Sequence, residues 1–313
     1  MFQDWIGKGT CVLAAAGNGP TAHAAAQAAG MPGTPWWVWV AALFVTCFLV
    51  GIVAVLSGIG GGTLFTPIVG AFFPFGSDFV KAGGLLVALT GALAAGPGLL
   101  RANLASFRLL IPPAIVASSF SIIGAYLSFG IPSTVSNIML GLLVFGIIAL
   151  YVFGKRVNYP EVRQSDGLGS LLGISGAYYE PSEARVVQWR VWKTPWGLSL
   201  YAVIGIISGM FGIGAGWANV PVFNLLMGAP LKVAVASSKF LLSVSDTSAA
   251  WIYFTKGAVI PIIAVPAVLG IMFGSFIGVR ILKRVQAEVV RWIVILILLV
   301  AGVSSLLKGL GLM

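Results

Sequence analysis

Apolar residues run in long stretches along this chain, at about 36–57, 62–75, 80–104, 107–130 and 133–153. After a polar gap they resume at about 196–211, 216–228, 233–256, 258–281 and 289–308. Roughly 20 apolar residues carry a helix through the hydrocarbon of a bilayer, whereas about 10–14 read as a broken or re-entrant element. Most of the stretches reach the first length. Those at 62–75 and 216–228 do not, and glycine-rich turns precede both. The gap at 154–195 mixes Lys155, Arg156, Arg163, Arg185, Arg190 and Lys193 with Glu161, Asp166, Glu180 and Glu183, and is the one sizeable water-exposed loop. Residues 1–35 have no charged start followed by a clean apolar core and cleavage site, so they predict a short amphipathic or disordered lead-in rather than a signal peptide.

The pattern is duplicated. A shift of 154 positions superposes Gly51 on Gly205, Gly58 on Gly212, Gly60 on Gly214, Gly62 on Gly216 and Pro67 on Pro221, then Pro112 on Pro266 and Gly124 on Gly278. Apolar composition matches many Leu and Ala by chance, but it does not hold Gly-x-Gly-x-Gly and two distant prolines in register.

Composition agrees with a bilayer. Only 8% of the 313 residues are charged and 59% are hydrophobic, with a mean hydropathy of +1.03; a soluble domain carries about 25% charged residues. The net charge of +10 does not predict a nucleic-acid binder, because the basic residues sit mostly between apolar runs and set membrane orientation. Arg101 and Arg108 flank a turn whose counterpart has only Lys256, while uncharged 129–134 corresponds to a stretch with Arg280, Lys283, Arg284 and, just beyond, Arg291. Cytoplasmic loops collect Lys and Arg. The bias therefore places 101–108, 154–195 and 280–291 inside, both termini outside, and equivalent turns on opposite sides. That is an inverted repeat, a common plan of secondary transporters. Two cysteines, Cys11 and Cys47, and one histidine, His23, offer neither a disulfide framework nor a metal spacing, so no cofactor, metal or enzyme chemistry is expected.

The candidate chemistry lies in the paired turns Gly58-Ile59-Gly60-Gly61-Gly62 and Gly212-Ile213-Gly214-Ala215-Gly216. Glycine lets a helix end or unwind, and the next short helix starts with unpaired N–H groups at the positive end of its dipole. In lipid those groups need a partner, which a bound anion supplies. Gly60, Gly61, Gly62, Thr63, Gly214, Ala215, Gly216 and Asn219 are the expected substrate-binding residues, with Thr63 and Asn219 adding side-chain donors. A lone GxGxG in a membrane helix also serves close packing; the symmetric pair before two short helices favours a site.

These turns with their downstream prolines, and the stretch Leu231-Lys232-Val233-Ala234-Val235-Ala236-Ser237-Ser238 followed by Tyr253–Gly257, resemble the sulfite exporter TauE/SafE family, also called the toluene sulfonate uptake permease family. The resemblance spans about 40–153 and 196–308. It implies transport, by name export, of small sulfur-containing anions such as sulfite or organosulfonates, coupled to ions. Ala215 departs from an all-glycine second motif.

Of the eight acids, only Asp246 lies well inside an apolar segment, with Lys239 seven residues earlier on the same helical face, roughly 10 Å away along the axis. Intramembrane charges are costly and usually functional. Ser238 and Lys239 are expected to draw in the anion and Asp246 to take and release a coupling proton, since burial penalises a carboxylate's charged form. The alternative is that Asp246 bonds a neighbouring helix and Lys239 snorkels to the interface. The whole reads as an all-α integral membrane protein, a polytopic helical bundle of two inverted-topology repeats (36–153 and 196–313) with Gly-broken or re-entrant helices. A lead-in (1–35) and a cytoplasmic loop (154–195) complete it. It sits as a multi-pass protein in the cell's inner membrane. The partners are a small sulfur oxyanion or sulfonate, the proton and the lipid bilayer, with no nucleic acid. An anion channel, or a carrier of an unrelated small anion, is the alternative reading.

Overall fold

A computed structural model describes residues 36–311 apart from 58, 74, 102–104, 154–159, 161, 163, 181–184 and 282–286. The lead-in expected at 1–35 and the C-terminal residues 312–313 lie outside the described residues.

Each apolar stretch forms a helix. The first half holds α1 (Trp36–Ser57), α2 (Gly61–Phe72), α3 (Ser77–Arg101), α4 (Phe107–Gly130) and α5 (Ser133–Phe153). A short helix α6 (Gly167–Leu171) and the strands β1 (Ser175–Glu180) and β2 (Arg185–Arg190) follow. The second half holds α7 (Thr194–Phe211), α8 (Gly216–Pro221), which continues as a wider π-type turn over Val222–Leu226, then α9 (Leu231–Thr255), α10 (Pro261–Ile281) and α11 (Ala287–Gly309). The 154-residue shift seen in the sequence carries the starts of α3, α4 and α5 onto those of α9, α10 and α11, and the end of α1 onto the end of α7.

Among the described residues, α1, α3, α4, α5, α7, α10 and α11 are long and apolar enough to cross a membrane. Bulky apolar side chains such as Ile115, Phe153, Trp251 and Leu296 stay exposed on the outside of the bundle, as a lipid-facing surface requires. The 25-residue α9 is as long but carries Lys232, Lys239, Asp246 and a run of serines. By contrast α2 has 12 residues, about 18 Å at 1.5 Å per residue, little more than half the hydrocarbon thickness of about 30 Å.

Glycine stripes bring the helices together. Gly51 of α1 packs against the backbone of α10 near Ile271 and Gly274, and Gly270 and Gly278 return the contact at Phe44 and Ile52. The first helix of each half thus packs parallel to the fourth helix of the other, because α7 meets α4 in the same way, Gly205 at Ala117 and Gly209 at Ser121. Small residues at such contacts let backbones approach closely, which drives helix association where lipid is as apolar as leucine. Two pairs of equivalent helices, α3 with α9 and α5 with α11, pack antiparallel. Gly141 of α5 lies on Leu306 of α11 while Gly309 lies on Ile138, and Gly96 of α3 lies on Phe240 in the first half of α9. Ala82 and Leu85, near the start of α3, share a core with Ala249 and Tyr253 near the end of α9. The helix α2 runs back along α3, with Gly62 at Ala88, Phe65 at Gly83 and Gly70 at Val80. One end of the bundle therefore holds the ends of α3, α5 and α10 and the starts of α4, α7 and α11. The other holds the starts of α1, α3, α5 and α10 and the ends of α2, α4, α9 and α11.

The loop between the halves has more structure than its polar sequence predicts. Strands β1 and β2 pair antiparallel, Ser175 opposite Arg190 and Glu180 opposite Arg185. Tyr178 and Trp189 join Ile174, Val191, Tyr201 of α7 and Met227 in one apolar core. Asp166 ties the loop to α7, its two carboxylate oxygens accepting from the Thr194 N–H (3.1 Å) and hydroxyl (2.8 Å). The alternation that would mark a strand is diluted here by charged residues on the exposed face.

Candidate functional site

The two glycine turns meet in the interior. On the second half α7 ends at Phe211, and Gly212 and Gly214 take φ of 66° and 68°; on the first, Gly60 takes φ of 104°. These are left-handed conformations that glycine adopts without a β-carbon penalty. The two turns face each other. The Ile59 carbonyl lies where a β carbon on Gly216 would stand, and the Ile213 carbonyl comes within 2.9 Å of that position on Gly62. Gly84 of α3 leaves room for the Gly212 carbonyl and the Thr66 hydroxyl in the same way. Side chains from α2 staple the halves together, with Thr63 Oγ1 donating to the Ile213 carbonyl (3.1 Å) and Thr66 Oγ1 to the Gly212 carbonyl (2.8 Å). Ala215 has φ of −89°, where a β carbon is ordinary, so its departure from glycine costs the turn no strain.

Asp246 stands beside this meeting point with no solvent exposure. Its Oδ1 accepts from Ser208 Oγ of α7 (3.2 Å) and Ser245 Oγ (3.4 Å), and Ser121 Oγ of α4 donates to the Ser245 carbonyl (2.9 Å). Its Oδ2 has no hydrogen-bond partner and lies 3.0 Å from where a β carbon on Gly214 would be. Tyr253, two turns further along α9, donates to the carbonyls of Gly209 (3.0 Å) and Met210 (3.3 Å), satisfying acceptors that the end of α7 leaves open.

The expected substrate residues divide into four kinds. Gly60, Gly61, Gly62, Gly214, Ala215 and Gly216 are all buried where the halves meet. Asn219 of α8 is fully buried with neither amide atom paired, and the buried indole N–H of Trp217 is unpaired too. An unpaired buried amide costs free energy that a well-fitting ligand can recover. Thr63 and Ser238 are buried, but their hydroxyls are engaged with backbone, Thr63 as above and Ser238 with Val235 (3.1 Å). Lys239 is half-buried on α9 and makes no ion pair with Asp246 among the described residues.

Sequence reading passed over three participants. Ser208 and Thr66 are single hydroxyls in apolar helices, and only the packing shows what they reach. Lys81 of α3 carried a signal, a cation inside an apolar run; it is 4% exposed, its Nζ donating to Ser128 Oγ of α4 (2.8 Å).

The sequence matches the model of the family described as Sulfite exporter TauE/SafE over residues 43–305. Two relatives are similar along nearly their whole length. The probable membrane transporter protein YunE of Bacillus subtilis (strain 168) is 26% identical over 275 residues, covering 85% of this chain and 97% of the relative. The probable membrane transporter protein ORF9 of Sinorhizobium sp is 25% identical over 266 residues, covering 84% and 91%. No solved structure matches the chain. The seven helices among the described residues that are long and apolar enough to cross a membrane, a buried polar centre and this match agree on a multi-pass membrane transporter rather than an enzyme. The chain belongs to the sulfite exporter TauE/SafE family.

Proposed function

We propose that this transporter moves small sulfur-containing anions, sulfite or organosulfonates, across the cytoplasmic membrane. The anion is held at the paired glycine turns and its movement is coupled to a proton on Asp246. The observation that carries the reading is the pair of fully buried, unpartnered polar groups around α8, the Asn219 amide and the second oxygen of Asp246. The amide offers two donors, which suits a compact oxyanion read by hydrogen bonds. Lys239 adds the positive field that draws the anion toward α9.

The proton enters through electrostatics. A charged Asp246 roughly 6 Å from a bound anion, at an effective dielectric of about 20, opposes binding by about 3 kcal/mol, or about a hundredfold in affinity. Protonation removes that repulsion, so anion and proton bind cooperatively, and each raises the affinity for the other by the same factor. The halves in this reading are inverted in the membrane. Arg101, Arg108, Arg185, Arg190, Lys193 and Arg280 gather at the end of the bundle that also holds the loop, while Lys81, Lys256 and Lys308 are at the other. The excess of Lys and Arg marks the first end as cytoplasmic. Export is the direction that the family's name implies.

The test is uptake of labelled sulfite into proteoliposomes with and without an imposed pH gradient. Saturable uptake that follows the gradient is expected. Uptake of neither sulfite nor an organosulfonate, by protein shown to be folded in the vesicles, would overturn the substrate. Conductance without any response to the gradient would replace the carrier by an anion channel.

A further inference from the structure

The sequence places one buried cation, Lys239, on the third helix of the second half; the structure shows a second on the third helix of the first. Lys81 is on α3, one turn from the position equivalent to Lys239. The shift of 154 takes Lys81 to Val235, and Lys239 follows Val235 by four residues on the same helix face. The two lysines are thus quasi-equivalent members of the duplicated fold, and the antiparallel course of α3 and α9 sets them on opposite sides of the central turns.

Lys81 is itself buried, 4% exposed, but it has a partly exposed neighbour toward the end of the bundle. Asp78 of the same helix is 44% exposed and its Oδ1 is 3.7 Å from Lys81 Nζ, a loose pair. Ser128 of α4, 1% exposed, accepts one ammonium proton at 2.8 Å. Next to Ser128, Phe129 of α4 packs at an angle on Tyr253 near the end of α9. An ammonium has three donors. Here one is well placed, one reaches Asp78 at long range, and the third meets no acceptor among the described residues. The backbone of Lys81 also packs directly on Gly212, the first residue of the second turn. The helix turn that carries this cation is therefore in direct packing contact with the second glycine turn.

We propose that Lys81 forms a second anion-holding site at the end of the pathway opposite the basic loops, where the transported oxyanion is bound as it arrives at or leaves the central turns. The inference rests on the anion-transport reading above. Lys239 serves the cytoplasmic side and Lys81 the outer side, so that the duplicated halves supply one cation to each approach. Asp78 competes with the anion for the ammonium and lets it go again.

Sided kinetics test this. Transport of labelled sulfite is measured in right-side-out and inside-out vesicles for the wild type, Lys81→Gln, Lys81→Arg and Asp78→Asn. The expected result is a KM for anion presented at the outer face that rises tenfold or more in Lys81→Gln, with the inner-face KM within twofold of wild type. Lys81→Arg should restore most of the outer affinity, and Asp78→Asn should lower the outer KM by removing the competitor. Equal changes at both faces, or none at either, would overturn the assignment and leave Lys81 a structural pair for Ser128. If Lys81→Gln does not fold, the partly exposed Asp78→Asn still decides: an unchanged outer KM refutes the site. A wild type that moves no sulfur oxyanion in either vesicle type fells the proposed function and this inference together, whereas transport with an unaltered outer KM fells the lysine site alone.

Discussion

Replacing Gly212 by alanine tests the contact between the two halves, and Gly257 supplies its control. Both glycines have positive φ, 66° and 73°, so alanine at either adopts a left-handed conformation at a cost of about 1–2 kcal/mol. Their surroundings differ. A β carbon on Gly257, in the turn after α9, meets nothing within 4 Å, whereas on Gly212 it would stand 2.5 Å from the Lys81 Cα and 2.6 Å from its carbonyl carbon, and closer still to the carbonyl oxygen. These are helix backbone atoms that no rotamer change can move. Relief requires α3 to shift away from the turn, and overpacking of this kind costs about 1–3 kcal/mol more. Gly212→Ala should therefore destabilise by about 2–5 kcal/mol, and Gly257→Ala by the conformational cost alone. Heating the detergent-solubilised protein in steps and following its monodisperse size-exclusion peak ranks the two against wild type; transport in vesicles reports whether the turns still meet. If the two variants lose stability equally, the close approach of Gly212 to α3 is refuted, because the conformational cost is common to both.

Asp246→Asn keeps the side-chain shape and should leave saturable sulfite transport that no longer responds to a pH gradient; unchanged coupling removes Asp246 from the mechanism. Asn219→Leu, with the same branching and number of side-chain heavy atoms, should keep or raise thermal stability by about 1–3 kcal/mol because it removes an unpaired buried amide. It should abolish transport at the same time, and a variant of wild-type activity would show that the amide holds no substrate. Thr66→Val is close in shape and deletes the hydrogen bond to the Gly212 carbonyl, so a loss of about 1 kcal/mol is expected. Adding Thr63→Val should lower the thermal midpoint further, and an unmoved midpoint in the double variant would contradict the staple. Asp166→Ala removes the acceptor for both the N–H and the hydroxyl of Thr194, predicting a loss of about 1–2 kcal/mol, with Asp166→Asn milder; equal effects of the two would show that the bonds carry no stability.

The long apolar runs determined the number, type and approximate bounds of the membrane helices, because burying a backbone in lipid leaves the helix as nearly the only local solution and residue polarity alone marks where it starts and stops. The duplication was equally legible, since glycine and proline impose backbone requirements that survive in register at Gly60 and Gly214 or Pro67 and Pro221. Asp246 stood out as a charge with no business in an apolar segment. Other features depend on long-range contacts. That Ile59 meets Gly216, that Thr63 and Thr66 staple the opposite turn, and that Asp246 shares Ser208 with α7 follow from packing residues some 40 to 150 positions apart. Thr63 shows the limit well. Its place after the turn suggested a free donor, and only the position of the other half revealed that its hydroxyl already serves Ile213. Lys81 shows it from the other side: a cation inside an apolar run names no partner by itself, and only the packing of α4 and the Gly212 turn shows what surrounds it. Local polarity and backbone chemistry set which segments enter the bilayer and where they break. Only the tertiary structure, by bringing the two halves face to face, decided which polar groups are satisfied there and which are left open to a ligand.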